Sequence, residues 1–509
     1  MRKLFRIICF TGILFSFTCF SFGQNKEEIL SDYFNKAILQ WNVPGMAVGI
    51  IHNNSTVLLE GYGVRETGRP EKVDGNTVFA VASNTKSFTA TAIGILIDEG
   101  KLNWDDKVTD HLPWFRLYDP YVTEHITIRD LLSHRSGLVT FSGDLIWYGS
   151  IYNREEIVRR AAFLKPGNGF REKFGYSNIM YLAAGLIVEK VSGLSWDKFI
   201  TQRILIPLNM NNTFTSVNRL DLKGNTAIPH NAVNDSAFSI HYLNWDNIGP
   251  AGSLNSSAAD MLKWLQLQLG KGTINGKTII SEKRLREMYS PQTIQNVSPF
   301  SERTWPSTHF KSYGLGWSMM DYHGRKVISH SGGYDGMISY TCFVPEENLG
   351  FVILTNQNSS LYYPLAYKIL DTYLSDSTTD WSDFFLNLQK SAKEDEEMQK
   401  KNDSLSFIPG TTPSLALKDF AGTYHSIAYG DVVVELRKDK LHLQFVPSPM
   451  FSSNMVHWQY NTFTIKFDQV PSLPEGKAAF IINEGKAEKI LIDVPNPDFD
   501  FTELEFNRL

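Results

Sequence analysis

The sequence predicts a mixed α/β protein of the α+β type: an antiparallel sheet flanked by helices, with an inserted helical subdomain, followed by a C-terminal all-β barrel domain. Three observations predict it. Strand-like runs sit near both ends of the first 375 residues while helix-period segments and loops fill residues 83–285; a charged stretch and a Pro-Gly-Thr-Thr-Pro linker interrupt the chain over 376–413; and short β-prone runs recur beyond it. The 509 residues are 42% hydrophobic and 20% charged, a balance that builds packed cores and excludes disordered, collagen-like and multi-span membrane chains. Lys and Arg number 49 against 54 Asp and Glu, and the resulting net charge of −5 gives no global attraction for nucleic acid or an anionic membrane.

Residues 1–23 read as an export signal. Arg2, Lys3 and Arg6 precede an apolar run over 7–20, and the small residues Ser21 and Gly23 mark a cut that makes Gln24 the first mature residue. The run is too short for an ordinary membrane-spanning helix, which needs about 20 residues, and no later segment is apolar enough to span. Lipid attachment at Cys19 is the alternative, but Ser16-Phe17-Thr18 matches a lipobox poorly. After cleavage only Cys342 remains, which forbids an intrachain disulfide and a thiolate metal cage and suits a periplasmic or extracellular bacterial protein.

In the mature chain, 45–51 and 56–61 are apolar or β-prone runs around Asn53-Asn54, a pair that tolerates positive φ and predicts a tight hairpin. Residues 326–329, 337–344 and 349–355 repeat that character, with Pro345-Glu346-Glu347-Asn348 as a turn. Strands from both ends are expected to meet in one sheet. Past the charged helix and linker, 432–436, 441–445, 462–467, 478–482 and 489–494 have small-barrel spacing. The chain thus divides into 1–23, 24–375, 376–413 and 414–509.

Several hydrolase designs are absent: there is no G-x-S-x-G elbow, H-E-x-x-H, P-loop or paired CxxC. S-x-x-K occurs twice, as Ser83-Asn84-Thr85-Lys86 and Ser195-Trp196-Asp197-Lys198. Ser83 opens a predicted helix in which Phe88, Ala92, Ile95 and Leu96 share a face and which Gly100 caps. Lys86 then lies on the same face as Ser83, where its amine can take the hydroxyl proton, and the helix dipole favours the developing negative charge. The competing reading of that tetrad is a plain Ser cap and a surface Lys. For Ser195 and Lys198, a cap is the better reading. Tyr-x-Asn occurs at Tyr33, Tyr176 and Tyr242, and only Tyr176-Ser177-Asn178 stands between a loop and a strong helix over 180–191. A nearby Lys86 cation is expected to lower the Tyr176 phenol pKa and make it a general base, with Asn178 orienting Lys86 or a substrate amide. A capping Asn and a packed Tyr remain the alternative. His330-Ser331-Gly332-Gly333 is the single H-[ST]-G, where paired glycines allow close ligand approach and an unobstructed N–H; a β-turn with a solvent-facing His competes with this.

Together, Ser83-x-x-Lys86, Tyr176-x-Asn178 and His330-Ser331-Gly332 resemble the serine β-lactamase and penicillin-binding hydrolase family in order and spacing, specifically its class C-like, D-alanyl-D-alanine carboxypeptidase and esterase branch. Leu131-Leu132-Ser133-His134-Arg135-Ser136-Gly137-Leu138, Ala251-Gly252-Ser253 and Tyr313-Gly314-Leu315-Gly316-Trp317 resemble the same family over residues 30–370. The tail, with Phe420-Ala421-Gly422-Thr423-Tyr424, is similar to a small β-barrel domain often fused to these hydrolases. The resemblance implies a β-lactamase/transpeptidase-like fold and an acyl-enzyme mechanism without cofactor or metal. In it Ser83 attacks, Lys86 and Tyr176 move protons, Asn178, His330, Ser331 and Gly332 bind substrate, and the N–H groups of Ser83 and Gly333 form the oxyanion hole. The implied partner is a small peptide, ester or cell-wall-derived substrate, with no nucleic acid. His330 departs from the lysine of class C lactamases. A mostly neutral imidazole anchors a carboxylate weakly, so a D-amino-acid peptidase or esterase is expected ahead of a true β-lactamase or a non-catalytic penicillin-binding sensor.

Overall fold

A computed structural model describes residues 25–233, 236–405, 407–470, 473–496 and 499–509. The export signal expected over 1–23, with Cys19, lies outside the described residues.

The longest apolar runs build the centre of an eight-stranded antiparallel sheet. Its strands in chain order are β1 (Gly45–His52), β2 (Ser55–Gly63), β3 (Thr293–Gln295), β4 (Lys311–Tyr313), β5 (Ser318–Tyr322), β6 (Arg325–Tyr334), β7 (Met337–Val344) and β8 (Leu349–Thr355). Their spatial order is β2-β1-β8-β7-β6-β5-β4-β3, so the first and last strands of the domain are neighbours, Met46 pairing with Thr355 and His52 with Leu349. The expected hairpin is present, turning through Asn53 and Asn54 at φ 50° and 62°.

Strand periodicity divides the two central strands between two cores. Met46, Val48, Ile50, Phe351 and Ile353 face helices α1 (Lys26–Gln40) and the later helix Tyr362–Leu374; Ala47, Ile51, Val352 and Leu354 face the helical subdomain. On that second side, a Cβ at Gly49 would stand 2.9 Å from Leu262 Cγ, so glycine lets the helix Ala258–Leu269 press directly on β1. The subdomain is inserted between β2 and β3. Its centre is α2 (Thr85–Asp98), buried on every side from Thr85 to Ile97, packed against α3 (Asn178–Ser192). Gly100, at φ 70°, follows α2 as the sequence predicts.

The charged segment forms the helix Trp381–Leu405. Its first turn is pinned by Trp381, whose indole donates to Asp371 at 2.7 Å, while the run around Lys393 to Glu397 is exposed. Beyond the linker, eight antiparallel strands from Gly422–Ser426 to Glu505–Arg508 close into a barrel, the first pairing with the last. Val432, Val434, Leu443, Phe463, Phe480, Ile490 and Phe506 fill its interior. Among the described residues no single helix is long and apolar enough to cross a membrane.

Candidate active site

Ser83 stands at the mouth of a cleft of about 540 Å³, on a one-turn helix, Ala82–Asn84, that leads directly into α2. Ala82 holds a left-handed φ of 45°, which makes the entry to the helix sharp and exposes the hydroxyl. One turn on, Lys86 is completely buried, and its Nζ reaches Ser83 Oγ at 2.9 Å, Asn178 Oδ1 at 2.7 Å and the Ala251 carbonyl at 2.8 Å. Burial pushes the amine down to about 7, against an opposing pull from Asp144. An uncharged amine is thus available near neutral pH; with its two N–H groups given to Asn178 Oδ1 and the Ala251 carbonyl, its lone pair is left for the serine.

Tyr176 and Asn178 come from the loop and first turn of α3. Ser177 is the residue that caps this helix, accepting from the Met180 N–H at 3.4 Å, which leaves the Asn178 side chain to work in the site. Its Nδ2 donates to Asp144 Oδ2 at 2.7 Å while its Oδ1 faces Lys86. Asp144, also fully buried, accepts from Trp147 Nε1 at 2.8 Å, and burial pushes its carboxyl up to about 7. Lys86 Nζ lies 4.7 Å from the Tyr176 ring centre, and the phenol is within hydrogen-bonding reach of Ser83. The expected lowering of the phenol pKa does not occur. Complete burial raises it above the ordinary tyrosine value, so Tyr176 is a protonated phenol at neutral pH, and Lys86 is the better base.

The third motif lies within β6, not in a β-turn. Because β5 pairs with β6 only as far as Ser329, residues 330–334 have β7 on one side and the Ala82–Asn84 turn on the other. A Cβ on Gly332 would lie 2.2 Å from the Val81 carbonyl oxygen and 3.0 Å from Ser83 N; glycine allows the strand to rest on the turn. Gly333 meets nothing closer than Ile338 Cδ1 at 3.7 Å, and it and Ser331 are exposed to the cleft. His330 is buried instead of solvent-facing. Its Nε2 lies 2.9 Å from the Tyr313 hydroxyl and its Nδ1 2.5 Å from the Ser331 carbonyl, and burial with the nearby Lys86 pushes it down to about 3. It is a neutral ring whose two nitrogens are both engaged by the protein.

Ser83, Tyr176, Asn178, His330, Ser331, Gly332 and Gly333 therefore share one cleft, with Lys86 behind the serine. Sequence reasoning missed Asp144 and Trp147, which carry no periodic or motif signal, and assigned no role to Tyr313 and His134, although both lie in strings it singled out. His134 is buried at φ 57°, accepts the Ser177 N–H at 3.0 Å and packs 4.3 Å from Tyr176, ring to ring. Among the described residues no group of three or more His, Cys, Asp or Glu is placed to hold a metal.

The profile of the beta-lactamase family matches residues 32–373, two thirds of the chain. The chain belongs to the beta-lactamase family. Its barrel matches a domain of unknown function, DUF3471, over residues 408–508. Among proteins similar to it, the unguisins hydrolase of Aspergillus campestris is 26% identical over 81% of this chain and 78% of its own length. Protein flp of Staphylococcus aureus (strain COL) is 31% identical over 69% of this chain and 67% of its own. The structure of the octameric penicillin-binding protein homologue from Pyrococcus abyssi superposes with a TM-score of 0.60 at 22% identity, covering 92% of this chain and 98% of that one. A class C beta-lactamase gives 0.58 at 21% over 70% and 99%. These two share the fold of this beta-lactamase family member, and the Pyrococcus protein covers the barrel's share of the length as well.

Proposed function

We propose that this family member is an exported serine hydrolase that cleaves an amide or ester bond through an acyl-enzyme on Ser83. The observation that carries the reading is the 2.9 Å contact between the Ser83 hydroxyl and an amine that burial brings to about 7. Neutral Lys86 takes the hydroxyl proton as Oγ bonds to the substrate carbonyl. The Ser83 and Gly333 N–H groups receive the oxyanion, an interaction worth about 3 kcal/mol per donor. The proton then passes by way of the Tyr176 phenol to the leaving group, and water, deprotonated by the same pair, releases the acyl group and restores the serine. Asn178, braced by Asp144, holds the Lys86 amine in line.

The cleft's chemistry favours a substrate without a carboxylate at the reacting end. None of the described residues lining it is Lys or Arg, His330 is neutral, and Asp335 adds a carboxylate to the wall. A D-amino-acid peptide or an ester fits this better than a β-lactam, and the Aspergillus relative, a hydrolase of unguisins, agrees with a hydrolytic role. Residues 1–23 would direct the protein out of the cytoplasm.

Ser83→Ala is expected to lower turnover of a D-amino-acid p-nitroanilide or p-nitrophenyl ester by about a millionfold and to abolish fluorophosphonate labelling, with an unchanged circular dichroism spectrum. Equal labelling of both proteins defeats the proposal. Rapid hydrolysis of a chromogenic cephalosporin would identify a true β-lactamase instead, and a burst without turnover a penicillin-binding sensor.

A further inference from the structure

The cleft is not built by the hydrolase domain alone. Leu473, Asn496 and Phe499, all from loops of the C-terminal barrel, line it together with Ser83 and Gly333. The barrel is fixed there by specific bonds. Glu503 accepts from Ser142 Oγ at 2.5 Å, from the Gly143 N–H at 3.0 Å and from the Tyr429 hydroxyl, immediately beside Asp144. The Ile151 N–H donates to the Pro447 carbonyl at 2.9 Å, and Arg160 Nη1 to the Ala428 carbonyl at 3.0 Å. The Phe499 ring centre lies 4.6 Å from that of Tyr148, and the Tyr148 hydroxyl donates to Asp335 Oδ1 at 2.8 Å, on the hairpin that leaves the catalytic strand just after Gly333. A continuous wall therefore runs from the oxyanion position to the barrel.

We infer that the barrel is a specificity element of this active site: its Phe499, Asn496 and Leu473 close one end of the cleft and limit the substrate there to a short, uncharged apolar or aromatic group. The inference rests on the acyl-enzyme reading above. Its chemistry comes from the wall itself. Phe141, Tyr148, Trp245 and Phe499 supply aromatic surface, no described Lys or Arg faces it, and Asp335 repels anions. Its limit on length comes from Phe499, whose ring packs on Tyr148 and stands across that end of the cleft. A polymeric substrate running straight through the cleft is excluded by the same wall, whereas a compact peptide or ester ending there is accommodated.

The experiment uses the full chain and two ester series, p-nitrophenyl acetate through octanoate and acetyl esters of increasingly long alcohols, read as the ratio of kcat/KM for the longest member to that for the shortest. Phe499→Ala is expected to raise this ratio about tenfold in at least one series, and Phe499→Trp to lower it, since one to a few methylenes in an apolar pocket change the ratio by about that much. A merely loosened fold cannot move the two variants in opposite directions. Ratios unchanged in both variants, with wild type still turning over acetate, overturn the specificity role alone. Wild type that neither hydrolyses any ester nor takes a fluorophosphonate label overturns the acyl-enzyme reading and this inference with it.

Discussion

The chain contains the same four-residue pattern twice, and the two copies have opposite fates. At Ser83 the serine lies on a one-turn helix before α2 and the lysine at 86 has no exposed surface, its amine shared among Ser83, Asn178 and Ala251. At Ser195 the hydroxyl accepts the Lys198 N–H at 3.3 Å, as a helix cap, and the lysine side chain is exposed. Spacing places both lysines one helical turn from their serines. What differs is the cover: α3 and the Gly249–Gly252 turn enclose Lys86, and enclosure is what lowers its pKa to about 7. On the proposed mechanism, the nucleophile–base pair is thus made by tertiary burial of a local motif.

Short of removing the Ser83 hydroxyl itself, the largest effect should come from breaking that pair at the amine. Lys86→Met keeps an unbranched apolar side chain in a buried position and removes the base, so turnover is expected to fall about 10²- to 10⁴-fold. The wild-type profile sharpens the same point. Lysine ordinarily loses its proton near 10.5; burial lowers this to about 7, so the base form accumulates as pH rises through about 7 and kcat/KM should climb there to a plateau. A rise delayed to above pH 9 would show that the amine is not desolvated in solution and would remove the proposed base.

Much of this was legible along the chain. The end strands, their Asn53-Asn54 turn, the buried α2 and the barrel announce themselves by apolar runs, period and turn residues, because local pattern and tertiary burial agree there. The short strands β3 and β4, three residues each, have no period to read. The stretch from His330 to Gly333 leaves a turn as a competing reading, since glycine and serine are poor strand formers; only the missing partner beyond Ser329 reveals why a strand edge is needed there. Burial was equally hidden. The sequence suggests that Lys86 lowers the Tyr176 phenol, but desolvation outweighs a neighbouring charge when the whole ring is enclosed, and no residue near 176 signals that enclosure.

A smaller effect is expected one step behind the amine. Asp144 accepts from both Asn178 Nδ2 and Trp147 Nε1, and an asparagine at 144 can accept from only one of them while turning its own N–H₂ toward the other. Asp144→Asn should misplace Asn178 and lower kcat by about 10- to 100-fold. It also removes the negative charge that raises the Lys86 pKa, so the ascending limb of the pH profile should move to lower pH. That displacement separates a positioning role from simple loss of stability, which would leave the limb in place; an unmoved limb with unaltered kcat would detach Asp144 from the site.

The second tetrad supplies the smallest effect and the cleanest contrast. If Ser195 is only a cap, Ser195→Ala removes one acceptor from the exposed end of the short helix Trp196–Ile200 and should cost about 1 kcal/mol of stability. Denaturant unfolding of the full chain would read this as a small fall in midpoint, with kcat/KM for any ester unchanged, because Ser195 lines no part of the cleft. Turnover falling in parallel with Ser83→Ala would mean that burial does not distinguish the two copies, and the argument that enclosure of the lysine creates the base would fail at its root.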